Sequence, residues 1–389
     1  MRAKLEHDFE RFKRELPPDF AAHVRAAYRI DLTGRYAGET LPHPIGKGSG
    51  QLSLNAGQLE EDAAAGLAFV VLKTVIAEDE AGVQAMAAWA IHETRMRVER
   101  RGAADGRPGW TVTWKGRGWD RTLDEYVALV RAGRDLTRAG GPLVVPSVKY
   151  HLPRLDEPFR DAEYRHTTAR VAQAWGTPPL IVEKDFSPTL AGDTLADDRG
   201  QILRWLREVP GRIRAAAPLP VRVAVKLMNA RFDDAFQLEM MRAAAAEADA
   251  LVCFNRLFDA QLGVAYGGWD LSDRNLRVLD TLTPHASAGI PGLTPALTGT
   301  GNITSGRMIL EYARRGCESV QLHTFFQLPL FEYPATHGSR AQRALHALVF
   351  HPTDGLIAGM LELEARGEIE RREGELHFLD VRAHAHRPG

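Results

Sequence analysis

Two cysteines in 389 residues, Cys253 and Cys317, cannot build a disulfide framework, and alone they are too few to hold an iron–sulfur cluster. No stretch approaches the roughly 20 consecutive apolar residues of a membrane-spanning helix. The opening segment from Met1 to Phe20 is charged throughout and has no apolar signal region, so membrane attachment is not expected and the cytoplasm is the default location. A dominant charge sign is also missing. The 49 Lys and Arg stand against 50 Asp and Glu, which invites no polyanion, and nucleic acid is not an expected partner. The 14 histidines form no His-x-x-x-His pair and no His/Cys cluster at ligand spacing, so no metal site is expected. What the chain has is an ordinary globular composition, 44% hydrophobic and 25% charged, ample for a sizeable core.

Residues 1–30 read as two short amphipathic helices split by Pro17-Pro18, an extension able to cap a barrel or to serve an oligomer contact, for instance in a homodimer. From residue 31 a repeat sets in, with short apolar runs ending in Gly, Lys, Ser or Asn, each followed by a stretch of helical periodicity. The runs are Pro44–Gly50, Ala68–Thr74, Leu143–Lys149, Leu180–Ser187, Val221–Leu227, Ala250–Asn255, Pro295–Gly301 and Ser319–Thr324. The helical stretches are Gln58–Gly66, Leu123–Leu136, Tyr164–Gly176, Gln201–Ala217, Asp234–Ala248, Leu271–Leu282 and Ser305–Gly316. Eight strands alternating with helices predict an α/β fold, a (β/α)8 TIM barrel over residues 31–365, followed by a polar C-terminal tail, 366–389. Residues 78–122 are long for a connection between strand and helix. Carrying Trp110, Trp114 and Trp119, they predict a lid or substrate wall over the catalytic face.

In such a barrel the polar residues at the C-terminal ends of the strands face the active site. They are Lys47, Ser49, Gly50, Lys73, Thr74, Lys149, Glu183, Lys184, Ser187, Lys226, Asn255, Gly299, Gly301 and Thr324. Lysine is costly in a barrel unless it meets a negative group, so several strand-end lysines predict an anionic ligand; each alone could equally reach out to solvent. Thr298-Gly-Thr-Gly-Asn-Ile-Thr-Ser-Gly306, at the end of the seventh strand and leading into a helix, has the glycines and the free helical N–H groups that suit a phosphate. Gly267-Gly268 adds a second glycine pair on that side. Cys253 reads as a packed core thiol, and His323 as a contact near the phosphate or a space-filler.

Seven of these segments, in order across about residues 31–325, resemble the dihydroorotate dehydrogenase family. They are Pro44-Ile-Gly-Lys-Gly-Ser-Gly50, Leu72-Lys-Thr74, Val225-Lys-Leu227, Val252-Cys-Phe-Asn255, Gly267-Gly268, Gly299-Thr-Gly-Asn-Ile-Thr-Ser-Gly306 and Val320-Gln-Leu-His-Thr324. The resemblance implies FMN, with Gly299, Gly301, Asn302, Thr324 and the Gly267-Gly268 pair on the phosphate side, and Gly48, Ser49, Lys73, Thr74, Lys226 and Asn255 along the ribityl chain and ring. Lys226 would stabilise the charge of the reduced flavin. Lys184-Asp-Phe-Ser-Pro-Thr189 matches the family's catalytic-base motif, with Pro188 fixing the register and Ser187 as the base. The implied activity is an FMN-dependent oxidoreductase acting on a C–C/C=C bond next to a carbonyl. Substrate contacts fall to Lys184, Thr189, Asn255 and Trp114. The family's substrate asparagines are largely absent here, which points to a small polar, anionic molecule other than dihydroorotate. Two alternatives remain: a flavin-binding homologue without catalysis, and a flavin-free phosphate-binding lyase or isomerase.

Overall fold

The computed structural model describes residues 1–86, 95–102, 108–115, 118–186, 198–229, 232–259, 264–267, 269–282 and 295–384. Strands form where short runs of Val, Ile, Leu and Ala are buried on both faces, as in a parallel sheet covered by helices. In chain order, Ile30–Asp31 (β1) and the hairpin of Gly34–Tyr36 (β2) and Glu39–Leu41 (β3) precede Ile45–Lys47 (β4), Phe69–Val71 (β5) and Val75–Ile76 (β6). Arg95–Gly102 (β7), Pro108–Lys115 (β8), Leu143–Val145 (β9), Ser147–Lys149 (β10), Leu180–Asp185 (β11), Val221–Lys226 (β12) and Ala250–Cys253 (β13) follow. The last are Leu257–Asp259 (β14), Val264–Gly267 (β15), Ala296–Thr300 (β16), Cys317–Leu322 (β17) and Leu376–His377 (β18).

Ten of these make one parallel sheet in the order β6-β10-β11-β12-β13-β16-β17-β4-β5-β9. The fold is α/β, with a curled sheet consistent with a TIM-like plan, and the seven expected helices all appear within a few residues of their predicted bounds. The sheet is not the closed eight-stranded barrel expected. It has ten short strands, because the third predicted strand is broken into β9 and β10, and the second, Ala68–Thr74, holds only β5, with β6 lying just beyond its end. Pro146, with no N–H to give the ladder, separates β9 from β10. Between β5 and β6 the N–H of Lys73 turns aside to the carbonyl of Ser53 (3.1 Å), while that of Leu72 still reaches Val145 (2.9 Å).

Alternation along the strands sorts side chains into two cores. Phe69, Val71, Val145, Ile181, Ala224, Ala250 and Val252 point to the concave side, where Tyr36, Ala37 and Leu41 of the β2–β3 hairpin plug the space between them. Tyr36 stacks on Phe69 with ring centroids 4.6 Å apart. Position 46 accepts only glycine, since a Cβ there would fall 2.2 Å from the Phe69 ring. The larger cluster lies between the convex side and the helices and includes Val182, Trp205, Val223 and Val225.

Residues expected to form a lid do form a separate sheet. β7 and β8 from the long connection after β6 join β14 and β15 from the one after β13, antiparallel, in the order β14-β15-β8-β7. The two N-terminal helices, Arg2–Phe12 and Phe20–Tyr28, pack on the Arg340–Phe350 helix, where the His346 ring meets the carbonyl of Phe9 at 2.8 Å. The C-terminal segment is less loose than its polarity suggests. β18 pairs with β1, and Ile369, Leu376, Phe378 and Val381 are buried, four apolar residues dispersed among charges that mask their pattern. Among the described residues no helix is long and apolar enough to cross a membrane.

One buried histidine gives the fold a pH dependence. His43 Nε2 meets the carbonyl of Gly66 (2.7 Å), while its Nδ1 accepts from the N–H of Ile45 (3.2 Å), so a second proton has nowhere to go without breaking a backbone bond. Burial pushes this imidazole down from 6.5 to about 4. A depressed folded-state value means the stability it contributes is intact above 6.5 and lost as the pH falls towards 4. Urea unfolding should show about 2 kcal/mol less stability at pH 5 than at pH 7 from this group. His43→Gln should flatten that difference; an unchanged slope in the variant would assign the loss to other groups.

Candidate functional site

Parallel strands bring their C-terminal residues to one rim, so residues distant in sequence converge there. Lys149 ends β10, Asp185 ends β11 and Lys226 ends β12, with Asp185 opposite Lys226 in the ladder. Gly48, Ser49, Lys73, Thr74 and Asn255 follow directly on β4, β5 and β13. Lys226 Nζ donates to Gln321 Oε1 (3.2 Å) and lies 3.8 Å from Glu183 Oε1. Gly48 borders this pair: a Cβ there would fall 3.3 Å from Gln321 Oε1 and 3.6 Å from Lys226 Nζ, so its lack of a side chain leaves a cradle beside the ammonium. Ser49, Thr74 and Ser147 form a hydroxyl chain at 2.9 and 3.0 Å, and the Tyr126 hydroxyl fixes its far end through the Ser147 backbone.

Asp185 is the acidic centre of the rim. Asn255 Nδ2 donates to its Oδ1 (3.0 Å), and Lys149 Nζ lies 3.8 Å from its Oδ2. Burial pushes this carboxyl up, but Lys149, Lys226, Lys184 and Arg256 together outweigh burial and hold it below the ordinary carboxylate value. Burial, then repulsion from Arg256 and Lys149, brings Lys73 down to about 7. Burial likewise brings Arg256 to about 9. Each of these cations would be stabilised by an added anion.

Not every predicted residue joins this group. Lys47 turns away into a buried ion pair with Asp62 of the Ala56–Ala65 helix and contacts the Phe326 ring. Lys184 is fully buried and shares the helix-facing side with Val182. Its Nζ donates to the backbone carbonyl of Asp185 (2.9 Å) and sits 4.3 Å from the Phe186 ring centroid, and burial brings it to about 7. Cys253 is a core thiol, pushed well up by burial. His323 pairs with Gln327 Nε2 (2.5 Å) and occupies the space that a Cβ at Gly50 would take, 1.8 Å from its Nε2.

The seventh-strand turn is built as expected, but its glycines also answer to packing. A Cβ at Gly299 would meet the Tyr312 ring at 2.5 Å, and one at Gly301, whose φ is +111°, would meet Asn275 Nδ2 at 2.6 Å. Asn302 follows in the left-handed region (φ 48°) and donates to Ser272 Oγ (3.0 Å). Ser305 caps the Gly306–Arg314 helix by accepting from the N–H of Met308. Thr324 opens a short 3-10 turn after β17. Gly267 ends β15 opposite Val112, and Trp114 lies on β8 opposite Ala265. Ser187, Thr189 and Gly268 lie outside the described residues. Sequence reasoning missed Asp185, Arg256 and Tyr36. Asp185 was legible, two residues after Glu183 and therefore on the same face; Tyr36 comes from a hairpin that no strand-end rule reaches.

No protein-family model and no curated protein matches the chain. Among the described residues no group of three or more His, Cys, Asp or Glu could hold a metal ion.

Proposed function

We propose that the chain is an FMN-dependent oxidoreductase on the plan of the dihydroorotate dehydrogenase family, acting on a C–C/C=C bond next to a carbonyl of a small anionic molecule. On this reading the ten short strands are a (β/α)8 barrel whose second and third strands are each broken once. The pairing of β4 with both β17 and β5, and of β9 and β10 with β5 and β11, supports it. The observation that carries the proposal is the convergence of Gly48, Ser49, Thr74, Lys226 and Asn255, from four strands, on one rim, with Gly48 leaving the Lys226 ammonium bare of a side chain on its side. The residues fit FMN: an ammonium for the electron-rich ring edge, hydroxyls for the ribityl chain, and a glycine turn at a helix start for the phosphate.

FMN, when bound, supplies a hydride acceptor. The chain's own contribution is binding and charge. Lys226 stabilises negative charge at the flavin edge, while Gly299, Gly301, Asn302 and Thr324, with the Gly267-Gly268 pair, hold the phosphate. Ser49 and Thr74 orient the ribityl hydroxyls, and Lys73 with Asn255 borders the ring. Ser187 moves the substrate proton. Lys73, Lys149 and Arg256, clustered around Asp185, favour an anionic substrate.

Purified protein is expected to be yellow and to release FMN on denaturation, or to bind added FMN stoichiometrically as apo-protein. A colourless protein that fails to bind FMN would instead favour a flavin-free phosphate-binding lyase or isomerase.

A further inference from the structure

We propose that Glu183 is a positioning residue that works through Lys226: it is the fixed counter-charge beneath that ammonium and thereby sets the reduction potential of the flavin. The inference rests on the flavin reading above. Glu183 is fully buried on the concave side of the sheet and lies opposite Ala224 in the ladder, one inward-facing level below Asp185 and Lys226. Its Oε2 accepts from Gln321 Nε2 (2.6 Å) and from the Tyr36 hydroxyl (3.1 Å). Its Oε1 has no hydrogen bond and faces Lys226 Nζ at 3.8 Å. One oxygen anchors the carboxylate and the other is left to the ammonium.

Gln321 completes the device. Its amide nitrogen donates to Glu183 while its oxygen accepts from Lys226, so the carboxylate orients the group that holds the lysine in place. The Tyr36–Phe69 stack and the β2–β3 plug hold the floor of this assembly, so the carboxylate has little room to swing away. Two opposite charges this close, out of reach of water, interact strongly. A lone ammonium at the ring edge would favour anionic reduced flavin over neutral oxidised flavin without restraint; an opposite charge below it damps that preference. Burial pushes the Glu183 carboxyl up against the pull of Lys226, so the ammonium favours the charged form of Glu183 in turn.

Glu183→Gln keeps the shape and an acceptor for Tyr36 and Gln321 but removes the charge. Measured by dye equilibration, the variant should prefer reduced over oxidised FMN at least tenfold more than wild type, about 30 mV upward for a two-electron couple. Tyr36→Phe, which deletes a hydrogen bond to Glu183 but no charge, should move the potential far less. A flavin-free measurement tests the pair by itself. Lys226→Met should lower the unfolding midpoint of the apo-protein, and adding Glu183→Gln should restore most of the loss. If wild type binds FMN but the potential of E183Q is unchanged, or equals the shift in Y36F, the role given to Glu183 is wrong. Additive effects of K226M and E183Q on apo-protein stability would overturn it as well, even if E183Q fails to retain flavin. A wild-type protein that never binds FMN, yet shows the K226M/E183Q coupling, would keep the ion pair and sink the flavin reading.

Discussion

Asp62→Ala is expected to cost the fold about 3–5 kcal/mol, read as a lower urea midpoint at unchanged slope. Asp62 is buried on the Ala56–Ala65 helix and meets Lys47, buried at the end of β4. Burial pushes the Asp62 carboxyl up to about 6 even against the pull of Lys47. The pair is therefore poor evidence of net stabilisation, because both charges gave up water to form it. Breaking it from one side is a different matter, since the variant leaves the buried Lys47 ammonium without its carboxylate partner, 5.4 Å from the Phe326 ring centroid. Replacing both partners with apolar residues, Lys47→Met with Asp62→Leu, should recover most of the loss. A single-variant cost below about 1 kcal/mol, the range of exposed pairs, would show that water reaches Lys47.

That pair also marks where the sequence stops being readable. Lys47, Lys73, Lys149, Lys184 and Lys226 all end apolar runs, and local pattern assigns them one role. Three-dimensional partners divide them. Lys47 is taken by a carboxylate on the next helix. Lys184 falls on the outer side by strand alternation, a parity that can be counted once the strand bounds are known. Lys226 acquires Glu183 and Gln321 from two other strands, a long-range convergence that periodicity does not encode. The strand and helix order was legible because hydrophobic runs and helical spacing are local signals. The break at Pro146 was also legible, since a proline inside a run has no N–H to give the ladder. The one after Val71 was not, since the apolar run from Ala68 to Leu72 looks the same whether its ladder continues or not. The β2–β3 hairpin escaped notice for a related reason: its burial depends on filling a space that other strands enclose.

Dihydroorotate is expected to be a poor substrate, with kcat/KM below about 10⁴ M⁻¹s⁻¹ in steady-state assay, the lower edge of the ordinary enzyme range. The family resemblance implies a pyrimidine ring gripped by several asparagine amides, whose donors and acceptors match its amide edges. Here the segment that matches the family's fourth-strand motif carries Lys184 and Thr189 in place of asparagines, Lys184 facing the helices and not the rim. The Trp110–Gly118 segment that matches the family's amide-bearing loop contains no asparagine. Asn255 remains, but its amide already donates to Asp185 and its oxygen accepts from the backbone N–H of Arg256 (2.9 Å). Recruiting it for a ring would mean breaking a bond to a carboxylate, among the stronger hydrogen bonds a side chain makes. Asp185 itself, held ionised by the lysines around it, is a fixed negative charge on the same rim and disfavours a second carboxylate beside it. Burial disfavours the charges of Lys73 and Arg256, so an anion near them is stabilising, and a different anionic molecule that keeps clear of Asp185 suits the rim better. Buried polar groups left unmatched by a wrong substrate cost several orders of magnitude in selectivity. Turnover of dihydroorotate at or above the stated limit would mean that residues outside this rim supply the amide contacts, and the substrate half of the proposal would fall.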